Sequence, residues 1–138
     1  MARSSRQKRD IPPQRLILDS GAVIALSRGE DRPRALLRRA VELGMDIRIP
    51  VAVLAETLRG GARDAPIHRV RNAVDVFPTE ERTSRLAGSL LGATGGTNAV
   101  DALVAAEAVL SEADVLTTDP DDLRALLAKH PRVAVIPL

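Results

Sequence analysis

Short apolar runs alternate along this chain with longer segments in which apolar residues recur at helical spacing. The short runs predict five strands, at 15–18, 46–49, 74–77, 114–117 and 133–136. The longer segments predict helices at 22–26, 33–43, 50–58, 67–73, 79–91, 99–111 and 121–128. Regular alternation of strands and helices is typical of a parallel sheet with helices on both faces. We therefore expect an α/β protein, a single α/β/α sandwich with about five parallel strands.

The domain organisation is simple. At 138 residues the chain has the size of one ordinary domain, and it shows neither an internal repeat nor a second core. We expect the folded domain to span 15–138, preceded by a basic arm, 1–14, without regular structure. No apolar run approaches a membrane span, and no apolar segment follows the first basic residues as in a secretory signal. Together with the absence of cysteine, this predicts a cytoplasmic protein.

Charge and aromatic content narrow the ways in which nucleic acid could be bound. The net charge of +2 conceals five basic residues against one acid in the first fifteen positions. Phe77 is the single aromatic residue, which excludes an aromatic platform for stacking unpaired bases. Any nucleic acid would be held through its phosphates, by arginine or by metal.

Four acids stand out because their neighbours are apolar. Asp19 ends the first strand, and Asp119 follows the fourth. Glu56 lies beyond the first turn of its predicted helix, and Asp101 lies near the start of an alanine-rich one. Asp19 and Asp119 share the carboxyl edge of the predicted sheet, where open α/β sheets bind their ligands. A helix that crosses back over the sheet can bring its own acid to the same edge.

Clustered carboxylates repel one another, and a hard divalent ion relieves that repulsion. Mg²⁺ prefers a few carboxylates together with water and phosphate oxygens, and such a site activates water and stabilises charge on a phosphodiester. The pattern therefore indicates metal-assisted hydrolysis of a phosphate ester. Competing chemistry is sparse, because His68 and His130 lie far from the strand ends in the pattern and Ser20 has no evident histidine base.

Each acid also has an ordinary structural explanation. Asp19 and Asp119 each precede a helix and could act as N-caps, and Asp101 falls in the first turn of its helix. Glu56 could pair with Arg59 one turn later, a contact worth only about 0.2–0.5 kcal/mol. The joint occurrence of all four acids favours a shared functional site over four separate structural explanations.

Four stretches of the chain resemble the signature stretches of PIN domains, most closely those of the VapC toxins of bacterial toxin–antitoxin pairs. The stretches are Leu-Asp-Ser-Gly-Ala-Val-Ile-Ala-Leu at 18–26, Ala-Glu-Thr at 55–57, Val-Asp-Ala-Leu-Val-Ala-Ala at 100–106 and Leu-Thr-Thr-Asp-Pro-Asp-Asp-Leu at 116–123. The resemblance implies an endoribonuclease dependent on Mg²⁺ or Mn²⁺, usually dimeric and inhibited by a VapB antitoxin. The basic arm departs from the family pattern, since family members commonly begin almost at the first strand.

By this resemblance the four acids form a catalytic and metal-binding quartet. Asp19, Asp101 and Asp119 would be the main ligands, and Glu56 a ligand or the group that orients water. Three further residues match supporting positions: Ser20 and Thr118 as small hydroxyl residues beside the quartet, and Asp122 as an additional acid. We expect the antitoxin to cover the acidic edge and to place an arginine near the carboxylates.

Rival functions remain open at this stage. A related RNA-processing nuclease that is not a toxin, or a module that binds RNA or protein without cleavage, would share the fold. Two phosphoryl-transfer classes fit poorly. Haloacid-dehalogenase-type phosphatases need a second aspartate where this chain has Gly21, and receiver domains need a lysine at a late strand end, whereas the only lysines are Lys8 and Lys129.

Overall fold

The computed structural model describes residues 14–138, so all of the predicted arm except Gln14 lies outside the described residues. Five strands are present: β1 (Arg15–Leu18), β2 (Asp46–Pro50), β3 (Asp75–Phe77), β4 (Ala113–Thr117) and β5 (Val135–Pro137). Seven α-helices accompany them in the described part: α1 (Ser20–Ser27), α2 (Asp31–Glu42), α3 (Val51–Thr57), α4 (Ala65–Ala73), α5 (Glu81–Thr94), α6 (Ala99–Ser111) and α7 (Pro120–Leu126). A short 3-10 turn, Ala62–Asp64, precedes α4 and was not predicted.

All five strands are parallel, in the order β3-β2-β1-β4-β5. This confirms the predicted α/β class with its five-stranded parallel sheet. Helices α2, α3 and α4 each contact α1, while α5, α6 and α7 contact one another. None of the helices in residues 14–138 has the length and apolar character needed to span a bilayer.

The central strands β1 and β4 are buried on both faces, as parallel strands covered by two helical layers must be. Ile17, Leu18 and Val115 have no exposed surface, and Leu116 has 1%. Removing each such side chain from water stabilises the fold by about 1.5–3 kcal/mol. The small alanines of α6 let this helix lie close against β1, β2 and β4. The strand ends of β1 and β4 are therefore held rigidly.

The strand order places a crevice at the carboxyl end of the sheet. After β1 the chain adds β2 and β3 on one side, and it then crosses to β4 on the other side. The segments that follow β1 and β4 consequently diverge, and the gap between them is where open α/β sheets bind ligands. Asp19 and Asp119 occupy these two segments.

Candidate functional site

Asp19 is a buried carboxylate at the end of β1, with 7% of its surface exposed. It caps α1, since its Oδ1 accepts a hydrogen bond from the Ala22 backbone N–H at 3.2 Å. Its Oδ2 accepts from the hydroxyl of Thr117 at 2.5 Å. Burial raises the pKa of Asp19, the hydrogen bonds from Thr117, Ala22 and Gly21 oppose this, and the charge of Glu56 adds to it. The cap explanation is thus correct, but it leaves a buried carboxylate facing a second acid.

Thr117 joins the two strand ends and was missed by the sequence prediction. It has no exposed surface, and its hydroxyl oxygen also accepts from the Asp119 backbone N–H at 2.9 Å. Thr118, the residue predicted to support the acids, is instead exposed and makes no side-chain hydrogen bond to the described part of the chain. Successive strand residues point to opposite faces. Two consecutive threonines end the apolar run of β4, so the residue pattern alone does not distinguish the buried one from the exposed one.

Ser20 and Glu56 meet across the interface of α1 and α3. The Ser20 hydroxyl donates to Glu56 Oε1 at 2.6 Å, so the structure places Ser20 beside one of the four acids. The alternative pairing of Glu56 with Arg59 does not form, since the Arg59 guanidinium donates to the carbonyl oxygens of Ala55 and Leu58. Glu56 is therefore oriented by the serine that follows Asp19.

Asp101 connects the acids electrostatically. It lies in the first turn of α6, where its backbone N–H donates to Oδ1 of the N-cap Asn98 at 3.0 Å. Burial, followed by the charges of four neighbouring acids, raises the pKa of the Asp101 carboxyl to about 6. In decreasing order of effect, those neighbours are Asp19, Glu56, Asp122 and Asp119. All four predicted acids, with Asp122, therefore act on one another at the crevice.

Asp119 and Asp122 form the exposed side of the cluster. Although Asp119 occupies the N-cap position of α7, its side chain makes no capping hydrogen bond. Contact with the Asp122 carboxyl raises the pKa of Asp119, and Asp121 adds a smaller repulsion. The simple cap explanation does not apply to Asp119, and Asp122 stands with the acids.

No basic side chain of the described residues is paired with the acidic cluster. Among residues 14–138, none of the five acids takes part in a salt bridge with arginine or lysine. In the same part of the chain, no three acidic or histidine side chains lie close enough to hold one ion together. Mg²⁺ in proteins is typically bound by one or two carboxylates, with water and phosphate oxygens completing its shell. Spread carboxylates with unrelieved repulsion fit such an ion better than a closed cage.

A second feature that sequence reasoning missed supports the helix bearing Glu56. Asp64 is buried, and its carboxylate accepts from the backbone N–H groups of Arg59 at 3.0 Å and Gly60 at 2.6 Å. The turn needs a positive φ at Gly60 (91°) and Gly61 (90°), which glycine adopts readily. This contact fixes the chain where it leaves α3.

Comparisons with known proteins agree with this architecture. A family model described as "PIN domain" matches residues 16–127. The chain is similar to VapBC2 from Rickettsia felis bound to a promoter DNA fragment, with 15% identity, a TM-score of 0.74, and coverage of 91% of this chain and 99% of that one. It is also similar to VapBC-5 from Mycobacterium tuberculosis, with 22% identity, a TM-score of 0.59, and coverage of 91% and 100%. The chain is similar as well to VapBC-1 from nontypeable Haemophilus influenzae, with 18% identity, a TM-score of 0.65, and coverage of 83% of this chain and 94% of that one. A search of curated protein sequences gave no significant match.

Proposed function

Because this chain belongs to the PIN-domain family, we propose that it is a metal-dependent endoribonuclease and the toxin of a VapBC-type toxin–antitoxin pair. The observation that supports this most directly is the convergence at the crevice of five acids that form no salt bridge with any of the described residues. Burial raises the pKa of Asp101, and together with the charges of its acidic neighbours it brings that pKa to about 6. A chain that did not bind a cation would gain stability by losing one of these acids.

The quartet Asp19, Glu56, Asp101 and Asp119 would hold Mg²⁺ or Mn²⁺, with one or two of these carboxylates bound to an ion directly and the others acting through its water ligands. A bound divalent ion supplies an activated water and stabilises charge on the phosphodiester. The protein's own contribution is to position the donors. Thr117 fixes the Asp19 carboxylate and the backbone of Asp119 with one hydroxyl group.

Ser20 positions Glu56 in a similar way, since its hydroxyl donates to one oxygen of the Glu56 carboxylate. The other carboxylate oxygen makes no hydrogen bond to the described residues. That second oxygen is able to accept a proton or a hydrogen bond from water. Glu56 would then orient the attacking water if it is not itself a ligand. Since Ser20 and Asp19 are consecutive, the start of α1 sets the position of both acids.

The proposed partners are an RNA substrate, a second copy of the chain and a VapB-like antitoxin. Support for the antitoxin comes from the similar solved structures, several of which are toxin–antitoxin complexes. An antitoxin segment that placed an arginine over the acids would supply the cation that the described residues do not. Co-purification with the product of an adjacent short reading frame, followed by loss of inhibition when that arginine is replaced, tests this arrangement.

The decisive experiment measures cleavage of single-stranded RNA by the purified protein with Mg²⁺, with Mn²⁺ and with EDTA. We expect cleavage only with metal, and its loss in Asp19→Asn and Asp101→Asn. Asp31→Asn, which replaces an exposed first-turn acid of α2, is the matched control and should retain activity. Full activity in both site variants would contradict the proposal. Metal-independent RNA binding without cleavage would favour a binding module instead.

A further inference from the structure

A groove of about 240 Å³ adjoins the acidic cluster. It lies between the end of α5, the loop that leads to α6, and α7. Leu91 and Leu126 supply apolar walls, and Gly96 lies between them without a side chain. Asp101 and Asp122 form part of its lining. The groove is therefore continuous with the proposed catalytic site.

The lining selects against a phosphate and in favour of a neutral flat group. Within residues 14–138, no lysine, arginine or histidine lines the groove, whereas two carboxylates do. A phosphate placed inside the groove, away from the proposed metal ion, would meet like charge, which is destabilising. The leucine walls and the bare α-carbon of Gly96 suit an apolar face instead.

Hydrogen-bond donors are also available along one wall. Asn98 uses its Oδ1 to cap α6, so its amide nitrogen remains able to donate, and it makes no hydrogen bond to the described part of the chain. Thr97, which precedes Asn98, also lines the groove and carries a hydroxyl group that can donate a hydrogen bond. Carbonyl oxygens and ring nitrogens on the edge of a nucleobase are acceptors that match these donors.

From this arrangement we infer that the groove binds the base of the nucleotide adjoining the scissile phosphate, and so determines which RNA sequence is cut. This inference rests on the proposed ribonuclease function. The phosphate would lie at the acids and the base beyond Asp101, between Leu91 and Leu126. Gly96 and Asn98 are then specificity-determining residues, although neither belongs to the acidic cluster.

Gly96→Val tests the inference by filling the groove. A β-carbon at this position would lie 3.3 Å from Leu91 Cδ2 and 3.6 Å from Leu126 Cδ2, both of them ends of flexible side chains. The matched control is Gly92→Val, in the same sequence region but with nothing within 4 Å of the added carbon. Asn98→Ser gives a second test, because serine preserves a good N-cap while removing the amide donor.

The readout is sequencing of the ends produced from an RNA pool randomised around the cleavage position, with KM and kcat then measured on the preferred sequence. We expect wild type and Gly92→Val to share a base preference next to the cut. Gly96→Val should lose that preference and raise KM about tenfold, with kcat changed less, because a misfit in a binding pocket costs roughly 10–200-fold. Asn98→Ser should weaken the preference at the same position only, and it provides the test if Gly96→Val does not fold.

The outcomes separate the two proposals. If wild type cleaves RNA and neither variant changes KM or the base preference, the groove is not a base subsite and the ribonuclease proposal stands. Cleavage by wild type without any base preference next to the cut would overturn the inference in the same way. If wild type cleaves no RNA with either metal, the proposed function fails and the subsite fails with it.

Discussion

Replacing Asp101 by asparagine should stabilise the metal-free protein at neutral pH, even though it removes a proposed catalytic residue. The pKa of this carboxyl is raised from 3.8 to about 6, and each pH unit of difference is worth about 1.36 kcal/mol. Holding the ionised form in the folded state therefore costs at most about 3 kcal/mol. Because the side chain is partly exposed, solvent screening reduces this to about 1–2 kcal/mol.

One favourable contact of Asp101 is lost in the same variant. An acid in the first turn of a helix is stabilised by about 0.3–1 kcal/mol through the helix dipole, and asparagine gives up that interaction. The expected net gain of Asp101→Asn is about 1 kcal/mol. For a domain of this size that corresponds to a rise in Tm of roughly 3–5 °C.

The pH dependence of folding stability shows whether ionisation of Asp101 is the cause of the expected gain. Because folding raises this pKa, between pH 4 and 6 the folded protein retains a proton that the unfolded chain has released. The contribution of Asp101 to wild-type stability therefore falls as the pH rises through this window and then levels off. The advantage of Asp101→Asn should be complete at pH 7.5 and absent near pH 4, where a protonated aspartic acid resembles asparagine.

Thermal unfolding in EDTA at the two pH values measures this difference. Asp31→Asn serves as the control, since it removes an exposed first-turn acid of α2 and should lose about 0.3–1 kcal/mol without a gain at pH 7.5. If Asp101→Asn is no more stable than wild type at pH 7.5, or keeps its advantage at pH 4, the cost of holding this carboxylate ionised, through burial and repulsion, is not the cause.

Two further predictions concern the residues that hold the strand ends together. Thr117→Val should destabilise the protein by about 2–3 kcal/mol in urea unfolding at neutral pH, because the Asp19 carboxylate loses a buried hydrogen bond. Thr117→Ser keeps the hydroxyl and should retain most of the wild-type stability. A loss below about 0.5 kcal/mol in Thr117→Val would contradict the role given to this hydroxyl. Gly21→Ala would place a carbon 1.9 Å from the Thr118 hydroxyl oxygen, so it should cost about 1–3 kcal/mol in thermal unfolding and reduce cleavage by displacing the segment after β4. Gly88→Ala, with open space around the added carbon, should be neutral or slightly stabilising, and an equal loss in both variants would refute the steric argument.

Much of the fold could be predicted because local signals agreed with the tertiary structure. The bounds of β1 and α6 were predicted without error, since an apolar run ended at Asp19 and Asn98 made a good N-cap. Helix α5 instead continues to Thr94, past the predicted end at 91. Gly92 weakens a helix without stopping it, and the left-handed Gly95 is the residue that ends α5.

The candidate site was predictable only as a set of residue types. The acids could be picked out because charge is unusual in apolar segments, and the structure brings them within electrostatic reach of Asp101. The residues that position them carried no such signal. Thr117 and Thr118 are chemically identical neighbours, and only the tertiary structure shows which one is buried against Asp19. Asp64 likewise resembles any acid after a glycine pair until its buried contacts are known.

The hydrogen bond between Thr117 and Asp19 joins residues 98 positions apart, which has a consequence for the chain during its synthesis. The central strand β1 emerges early, but its neighbour β4 must wait for about a hundred further residues, roughly 5–20 s at ordinary rates of translation. Until then Asp19 lacks both the threonine that fixes it and the helix that carries Asp101. A nascent chain in which β4 has not yet emerged would thus be unable to assemble the site. For a protein proposed to cut RNA, this delay protects the message and the ribosome that are making it.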